Sequence, residues 1–387
     1  MRPKNTAQNL LQNIVISFTI LSICISCAQQ EKKNWVDINT LPEVEWERSS
    51  EIKNEIVNFT NTATGASVSV LHNMERNGFH FYNGLAHHSQ NELAIVGGTG
   101  LRVRITANKG QSWTEHRFSG FANPFYAATF NGDTLYTVGE SKYIFKTTDL
   151  GKSWSVFDTS IFFEEQPLAQ FKYYKIKFLN EKLGVLVGEY MSAPILLKTI
   201  DGGQNWNKMS FDSDPENEGG ITDLHIFSEQ RMLIITYMGN VYLTENGGTD
   251  WRNLYSSKED QRIYLNSVAF VDDQIGFIGG IGGMLQTKDG GKIWQKIDVT
   301  SFRKSEVNVS DIVIYQNKAY ITTSVSFSEN EPEAFVYEID PATDSIRSFL
   351  TKKNTEIKFV GESYELEVVG ETLYVLDRNN LYKTSLD

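Results

Sequence analysis

A short pattern that recurs five times constrains this chain more than any other feature. Each copy reads Thr-x-Asp/Asn-x-Gly-x-x-Trp, and successive tryptophans lie 41 to 52 residues apart. The copies occupy residues 106–113, 147–154, 199–206, 244–251 and 287–294. A regular period of this length indicates one supersecondary unit that is repeated and stacked, because a single unit cannot bury its own apolar faces. The chain is therefore predicted to be one repeat array.

Each copy of the pattern is expected to form a hairpin turn with a structural role. The Asp or Asn side chain can accept hydrogen bonds from turn amides, and the Gly accommodates the positive φ that the reversal requires. The Trp then begins the return strand, where its ring can seal the hairpin against a neighbouring strand. The residues assigned this role are Asn108, Gly110, Trp113, Asp149, Gly151, Trp154, Asp201, Gly203, Trp206, Asn246, Gly248, Trp251, Asp289, Gly291 and Trp294.

The sequence between the repeated turns predicts short antiparallel strands. In one repeat, Ser267–Val271, Ile275–Gly280 and Met284–Thr287 alternate β-branched and aromatic residues with breaks at Gly. Four such strands per repeat match the size of a propeller blade, and radially arranged blades leave only short, protected edges. We therefore predict an all-β chain that folds as a single β-propeller.

The predicted number of blades depends on the segments outside the repeated turns. Residues after Trp294 contain strand patterns for a sixth blade and for three strands of a seventh, so an N-terminal strand must close the ring. The segment from Asn34 to Ile38 resembles the Trp-led strand that follows each turn. Lys53–Phe59 and Ser67–Leu71, within the otherwise irregular segment 39–78, are the alternatives. We predict seven four-stranded blades, five of them with the repeated turn.

The repeated turns resemble the Asp-box, or BNR repeat. A glycine-rich strand pair leads into the turn at Val96–Thr106 and at Ile278–Thr287. This combination of strand pair and turn is similar to that in blades of the photosystem II assembly and stability factor family. The similarity covers roughly residues 79–300. It implies a seven-bladed propeller that binds a protein or assists assembly of a complex. Asp-boxes also occur in sialidases and other propellers, so the fold alone does not define the activity.

The N-terminus predicts export from the cytoplasm. Arg2 and Lys4 precede an apolar run that ends shortly before Cys27, which is the order of a secretory signal. The segment resembles a bacterial lipoprotein signal with Cys27 as the lipidation site, although Cys24 stands where such signals usually carry Leu. We predict a signal peptide at 1–26, a tether at 27–34 and the propeller at 35–387, lipid-anchored in the bacterial cell envelope. A simple secretory peptide or short membrane anchor is the alternative.

Composition and motifs argue against several classes of partner and chemistry. The net charge of −12 repels nucleic acid, so no nucleic-acid partner is expected. His87 and His88 would face opposite sides of a strand, so they are expected to be structural. No nucleotide fingerprint or sialidase Arg-Ile-Pro segment occurs, the nearest match to Arg-Ile-Pro being Arg104-Ile-Thr. We predict no metal, no cofactor and a monomer, and we favour a non-enzymatic protein over an enzyme.

Candidate binding residues lie in the connectors on the face opposite the Asp-box turns. The connector 160–174 is long and aromatic, and Glu189–Pro194 replaces the tight Gly turn of other repeats. Aromatic residues beside Arg are enriched at binding hot spots. The alternative is that these rings pack the blade junctions. The candidates are Phe162, Phe163, Tyr190, Arg262, Tyr264, Phe302 and Arg303.

Three functional classes are compatible with these features. The favoured hypothesis is a membrane-tethered, non-enzymatic scaffold outside the cytoplasm that binds a protein partner or assists assembly of a complex. The alternative is a carbohydrate-binding or glycan-cleaving propeller, since secretion and aromatic loops also suit a glycan. A redox enzyme would need a bound cofactor that no sequence feature specifies.

Overall fold

The chain is all-β in the part that the structure describes. The computed structural model describes residues 35–42, 44–49, 51–53, 56–60, 67–73, 82–89, 92–97, 100–119, 124–164, 170–212, 219–257, 263–297, 308–324, 334–351, 365–377 and 380–387. The helical elements among these residues are two short 3₁₀ turns, Ile38–Thr40 and Thr159–Phe162. Within the described ranges, no helix has the length and hydropathy needed to cross a membrane.

Five strands precede the first complete repeat. They are β1 (Val36–Asp37), β2 (Glu45–Arg48), β3 (Ile52–Lys53), β4 (Val57–Thr60) and β5 (Ser67–Asn73). The first three repeats follow as β6 (Tyr82–His87), β7 (Leu93–Gly97), β8 (Leu101–Thr106), β9 (Ser112–Ser119), β10 (Phe125–Asn131), β11 (Thr134–Gly139), β12 (Tyr143–Thr147), β13 (Ser155–Asp158), β14 (Phe171–Phe178), β15 (Gly184–Tyr190), β16 (Ala193–Thr199) and β17 (Asn207–Lys208).

The remaining strands continue the same order. They are β18 (Ile221–Ile226), β19 (Met232–Thr236), β20 (Asn240–Thr244), β21 (Arg252–Ser256), β22 (Tyr264–Phe270), β23 (Gly276–Ile281), β24 (Gly283–Thr287), β25 (Gln295–Ile297), β26 (Asn308–Tyr315), β27 (Lys318–Ser324), β28 (Ala334–Asp340), β29 (Ser345–Thr351), β30 (Glu365–Val369), β31 (Thr372–Leu376) and β32 (Asn380–Ser385).

These strands form antiparallel meanders in which each strand pairs with its neighbour in sequence. The first to sixth meanders are β6–β9, β10–β13, β14–β17, β18–β21, β22–β25 and β26–β29, and β30–β32 belong to a last sheet. The pair Ile281 and Asn308 joins the fifth and sixth meanders into one eight-stranded sheet. The predicted β-propeller is confirmed. The count of seven blades stays a prediction, because the hydrogen bonds between the described strands define six sheets.

Apolar side chains fill the space between successive meanders. Between the first and second, Phe118, Phe125 and Phe145 are buried with ring centroids 5.1 to 5.8 Å apart. Trp154 of the second Asp-box packs edge-on against Phe118 at 5.1 Å. Burying such rings removes roughly 150–250 Å² of surface each from water. The meanders therefore stabilise one another by packing face to face.

The first strand of each meander lines a central channel, where polar side chains link neighbouring strands. In each link, a side chain of one inner strand accepts the backbone N–H of a residue in the next inner strand. The pairs of acceptor and donor are Asp223 and Val268 (3.0 Å), Ser267 and Ile312 (3.2 Å), Asp311 and Leu366 (2.9 Å), and Glu365 and Leu85 (2.5 Å). The last pair joins the C-terminal inner strand to β6, which closes the ring.

The structure selects one of the alternatives for the closing strand. β5 pairs with β32 as the fourth strand of the last sheet, with Val68 opposite Thr384, and β4 pairs with β5 as a fifth, outermost strand. The first candidate, led by Trp35, instead pairs with β13 through Val36 and Val156. The segment predicted to be irregular also contributes β2 and β3, which both pair with β9. We call β1 to β3 the N-terminal belt, because they add strands to the outer edges of the second and first meanders.

The five Asp-box turns share one hydrogen-bonding geometry. In the third box, Thr199 Oγ1 donates to Asp201 Oδ1 and accepts the N–H of Gly203, both at 2.8 Å. Asp201 Oδ1 also accepts the N–H of Asn205 at 2.9 Å, and Gly203 has φ 83°. Equivalent bonds in the other four boxes measure 2.8 to 3.0 Å. Side chains of the box thus replace the backbone bonds that a turn leaves unmade.

Candidate binding face

The meanders give the propeller two unlike faces. The Asp-box turns join third to fourth strands, so they lie at one end of the meanders, together with the turns between first and second strands. The other end carries the turns between second and third strands and the connectors to the next meander. We call these the Asp-box face and the connector face. Of the predicted binding residues, Phe162, Phe163, Tyr190 and Tyr264 lie on the connector face.

Three of the predicted residues lie in one aromatic cluster at the junction of the second and third meanders. The Phe163 ring lies 4.7 Å from Tyr190 and 5.4 Å from Phe171, and Phe162 stacks on Phe157 at 6.2 Å. Phe162, Phe163 and Tyr190 are half-buried. This packing agrees with the alternative that these rings fill the junction between blades. Each ring is only half-buried, so part of it remains accessible to a partner.

Tyr264 belongs to an exposed apolar surface that the sequence did not single out. Its ring lies 4.9 Å from that of Tyr237, and it pairs across the sheet with Ile281. The turns between second and third strands of the third, fourth and fifth meanders supply the other members. The exposed fractions are 52% for Met191, 45% for Tyr237, 38% for Met238 and 37% for Ile281. We call these four residues and Tyr264 the apolar arc.

The turn that carries Met191 has an unusual backbone. Met191 and Ser192 join Tyr190 to Ala193 in a two-residue hairpin turn, with φ values of 51° and 69°. Such turns normally hold Asn or Gly, because side chains disfavour the left-handed region. A large apolar side chain is therefore held in an unfavourable conformation and exposed to solvent. Strain of this kind is found at functional sites.

Four predicted functional residues lie outside the described residues. They are Cys27, Arg262, Phe302 and Arg303. Their roles in lipidation and binding stay predictions.

Hydrogen-bonded tyrosines surround the mouth of the channel on the connector face. The Tyr126 hydroxyl donates to Glu140 at 2.6 Å, and its ring lies 5.7 Å from Tyr174. Lys172 forms an ion pair with Glu189 at 3.2 Å. Burial, followed by the charge of Glu189, raises the pKa of Tyr174 well above its usual value. These phenols therefore stay neutral. Because their hydroxyls already donate to Glu140 and Glu189, their oxygens are left to accept hydrogen bonds from a partner at the mouth.

Deeper in the channel, charged side chains cross a cavity of about 280 Å³. Lys175 reaches Glu365 at 2.7 Å, and Lys177 reaches Asp223 at 2.6 Å. Burial raises the pKa of Glu365 to about 7, against the opposing charge of Lys175. The same carboxylate accepts the amide of Leu85. These ion pairs and hydrogen bonds link the inner strands across the channel.

The two adjacent histidines face different partners, as expected for neighbouring strand residues. His87 Nδ1 lies 2.8 Å from Glu367, whereas His88 contacts Glu92 at 2.5 Å and Asp133 at 3.1 Å. Across the described ranges, no group of three or more His, Cys, Asp or Glu side chains is placed to hold a metal ion.

Fold and repeated turns together define a BNR-repeat β-propeller, and comparison with known proteins shows which propellers the chain is similar to. Residues 126–259 match the family described as photosynthesis system II assembly factor YCF48. The chain is 27% identical over 163 residues to the photosystem II assembly lipoprotein Ycf48 of Synechococcus sp. (strain CC9902). That match covers 41% of this chain and 46% of the relative, so it spans less than half of either protein. The resemblance predicted from the sequence is confirmed.

Solved structures extend the similarity of fold over most of the chain. YCF48 bound to a D1 peptide superposes with a TM-score of 0.58 at 14% identity, covering 87% of this chain and 98% of that one. YCF48 from Cyanidioschyzon merolae gives a TM-score of 0.59 at 16% identity, covering 81% and 98%. At these identities the likeness establishes the fold alone.

Proposed function

We propose that the protein is a lipid-anchored, extracytoplasmic scaffold that binds a protein partner on its connector face and assists assembly of a membrane-associated complex. The observation that carries this proposal is the apolar arc, which exposes large side chains on three successive meanders. Exposed aromatic and Met side chains are the residue types enriched at protein interfaces. Similarity to an assembly factor supports the same class of function.

The chemistry of the connector face indicates the kind of partner. The apolar arc lies beside the neutral tyrosines of the channel mouth, so apolar contact and hydrogen bonding are offered side by side. A peptide segment with apolar side chains and exposed backbone groups fits such a surface. One similar propeller, YCF48, has been solved with a peptide of D1. We infer that a peptide segment of a membrane-complex subunit is the partner here, while the glycan-directed alternative stays a prediction.

Paired surface variants test the proposal. Met191→Asn, Tyr237→Ser and Ile281→Ser combined should reduce partner recovery in a pull-down from membranes at least tenfold, because interface hot spots contribute about 2 kcal/mol or more each. Asn is chosen at residue 191 because it tolerates positive φ. The control is Ile200→Ser with Ile293→Ser, which removes side chains that are 62% and 61% exposed on the Asp-box face.

Both variants should keep the wild-type melting temperature, since exposed positions usually change stability by less than about 0.5 kcal/mol. The proposal fails if the arc variant is folded and recovers every partner as the wild type does. Equal losses in the arc variant and the control would place the binding surface elsewhere.

A further inference from the structure

The N-terminal belt covers a buried histidine on the outer edge of the first meander. β2 pairs with β9 so that Arg48 lies opposite His116. The ring of Trp46 stacks over His116, with centroids 6.2 Å apart and planes 16° apart. On the other side, Trp154 meets His116 at 5.7 Å. The imidazole is thus enclosed between a belt tryptophan and the tryptophan of the second Asp-box.

His116 has no polar partner inside this enclosure. Its side chain is fully buried, and among the described residues neither Nδ1 nor Nε2 has a hydrogen-bond partner. Gly151 lies so close that a Cβ there would stand 2.5 Å from His116 Cε1. A neutral imidazole can remain in such a site at moderate cost. An imidazolium ion would have to give up its hydration without receiving a hydrogen bond in return.

The charges around His116 make protonation harder still. Arg48 faces it from the belt, Glu115 precedes it on β9, and Asp149 faces it from the second Asp-box. Burial first, and then the charge of Arg48, lowers the pKa of His116 to about 4, against the smaller opposing effects of the two carboxylates. Glu115 is itself engaged by Arg102 and Arg104 at 3.3 and 2.7 Å.

We propose that His116 is a proton-sensitive latch, and that acidification releases β2 and β3 of the N-terminal belt from the edge of β9. The belt is the movable part, because β2 and β3 are short strands of four and two residues at the rim. Release hydrates His116 and allows it to accept a proton. It also uncovers the eight-residue edge of β9, a strand edge that can pair with another extended segment.

The pKa values of His116 with the belt closed and with the belt released set the size and direction of the pH dependence. The folded pKa of about 4 lies below the ordinary value of 6.5, so closure is favoured above pH 6.5 and is lost as the pH falls towards 4. Between these values, the ratio of released to closed belt rises about tenfold per pH unit. Above pH 6.5 the ratio should not depend on pH.

Hydrogen exchange of the full chain at several pH values between 7.5 and 4.5 tests the latch. After correction for the intrinsic exchange rate, peptides covering β2 and β3 should lose protection about tenfold per pH unit below pH 6.5 and show no pH dependence above it, while those of β10 to β13 should not change. His116→Phe keeps a stacking ring that cannot be protonated, so its belt should stay protected. His225→Phe is the matched control, because burial also lowers the pKa of His225 to about 4 at a site away from the belt.

The latch is refuted if His116→Phe loses belt protection with pH as the wild type does, or if the belt opens only together with β12 and β13. A second variant tests the proposal even if His116→Phe does not fold. Arg48→Met removes the exposed positive charge that opposes protonation of His116 in the closed state, so the closed-state pKa should rise towards 6.5. The acid-induced loss of belt protection should then level off at a higher pH, and at a smaller total loss, than in the wild type. A larger total loss of belt protection in Arg48→Met than in the wild type would also overturn the proposal.

Discussion

At the scale of single residues, the Asp-box turns explain why so short a pattern defines the fold. The Thr hydroxyl and the Asp carboxylate supply acceptors to backbone N–H groups that a tight turn would otherwise leave unpaired. In the fifth box, the pKa of Asp289 lies below its usual value, mainly because its carboxylate accepts a hydrogen bond from the backbone amide of Ile293. These carboxylates therefore stay ionised and accepting down to acidic pH.

We expect Thr199→Val to lower the free energy of unfolding by about 1–3 kcal/mol, because the buried N–H of Gly203 loses its acceptor. Thr199 is 1% exposed, so water cannot replace the lost hydroxyl. Thr199→Ser retains the hydroxyl and should stay much closer to the wild type. Urea denaturation of the three proteins measures the difference. Equal destabilisation by Val and Ser would show that packing of the methyl group, which Val retains and Ser lacks, contributes as much as the hydrogen bond. No loss of stability in Thr199→Val would contradict the prediction.

At the scale of elements, ring closure depends on a strand that is distant in sequence. β5 is the fourth strand of the last sheet, and its Leu71 is fully buried beside Trp113 of the first Asp-box. The Trp113 indole donates to the Leu71 carbonyl at 3.4 Å. Gly110 approaches so closely that a Cβ there would lie 3.0 Å from Leu71 Cβ. One strand thus joins the last sheet to the first meander.

Leu71→Ala should therefore destabilise the propeller by about 2–5 kcal/mol, the range for truncating a buried leucine. Leu179→Ala is the matched control, because Leu179 is 40% exposed and should change stability by less than about 0.5 kcal/mol. Chemical denaturation followed by tryptophan fluorescence measures both. A loss below about 1 kcal/mol for Leu71→Ala would mean that β5 is not required to close the ring.

Local patterns predicted the meanders but not the belt, and the reason is physical. A hairpin such as that around Asp201 is specified by residues a few positions apart, so the pattern is visible in sequence. β1 pairs with β13 through Val36 and Val156, a contact between distant residues that no local pattern encodes. Trp35 therefore resembled a closing strand, although its indole in fact donates to Gly203 at 2.9 Å.

The candidate site was predicted in part for a related reason. Long aromatic connectors pointed to Phe163 and Tyr264, and both lie on the connector face. Met191 and Tyr237 were missed, because turns are expected to be polar and a single exposed apolar residue carries little meaning. The sequence does contain a signal for these two residues, because they stand where the equivalent turns of other repeats carry glycine. Only the arrangement of three meanders side by side shows that they belong to one surface.

At the scale of the whole molecule, anchoring and partner binding are predicted to reside in separate parts of the chain. The proposed lipidation site, Cys27, precedes Trp35 by eight residues, which span at most about 26–29 Å when extended. The apolar arc lies on turns of the third to fifth meanders, whereas Trp35 is held at the rim by the second and third. A lipid anchor would then raise the local concentration of the propeller near membrane-bound partners without touching the binding face.

Cys27→Ser should consequently shift the protein from the membrane fraction to the soluble fraction and abolish incorporation of labelled fatty acid. Its melting temperature and its affinity for a detergent-solubilised partner should match the wild type, because neither the fold nor the apolar arc is altered. The combined arc variant should do the reverse, remaining in the membrane fraction while losing the partner. Membrane retention of Cys27→Ser would refute lipidation at this residue, and loss of affinity in detergent would refute the separation of anchor from binding face.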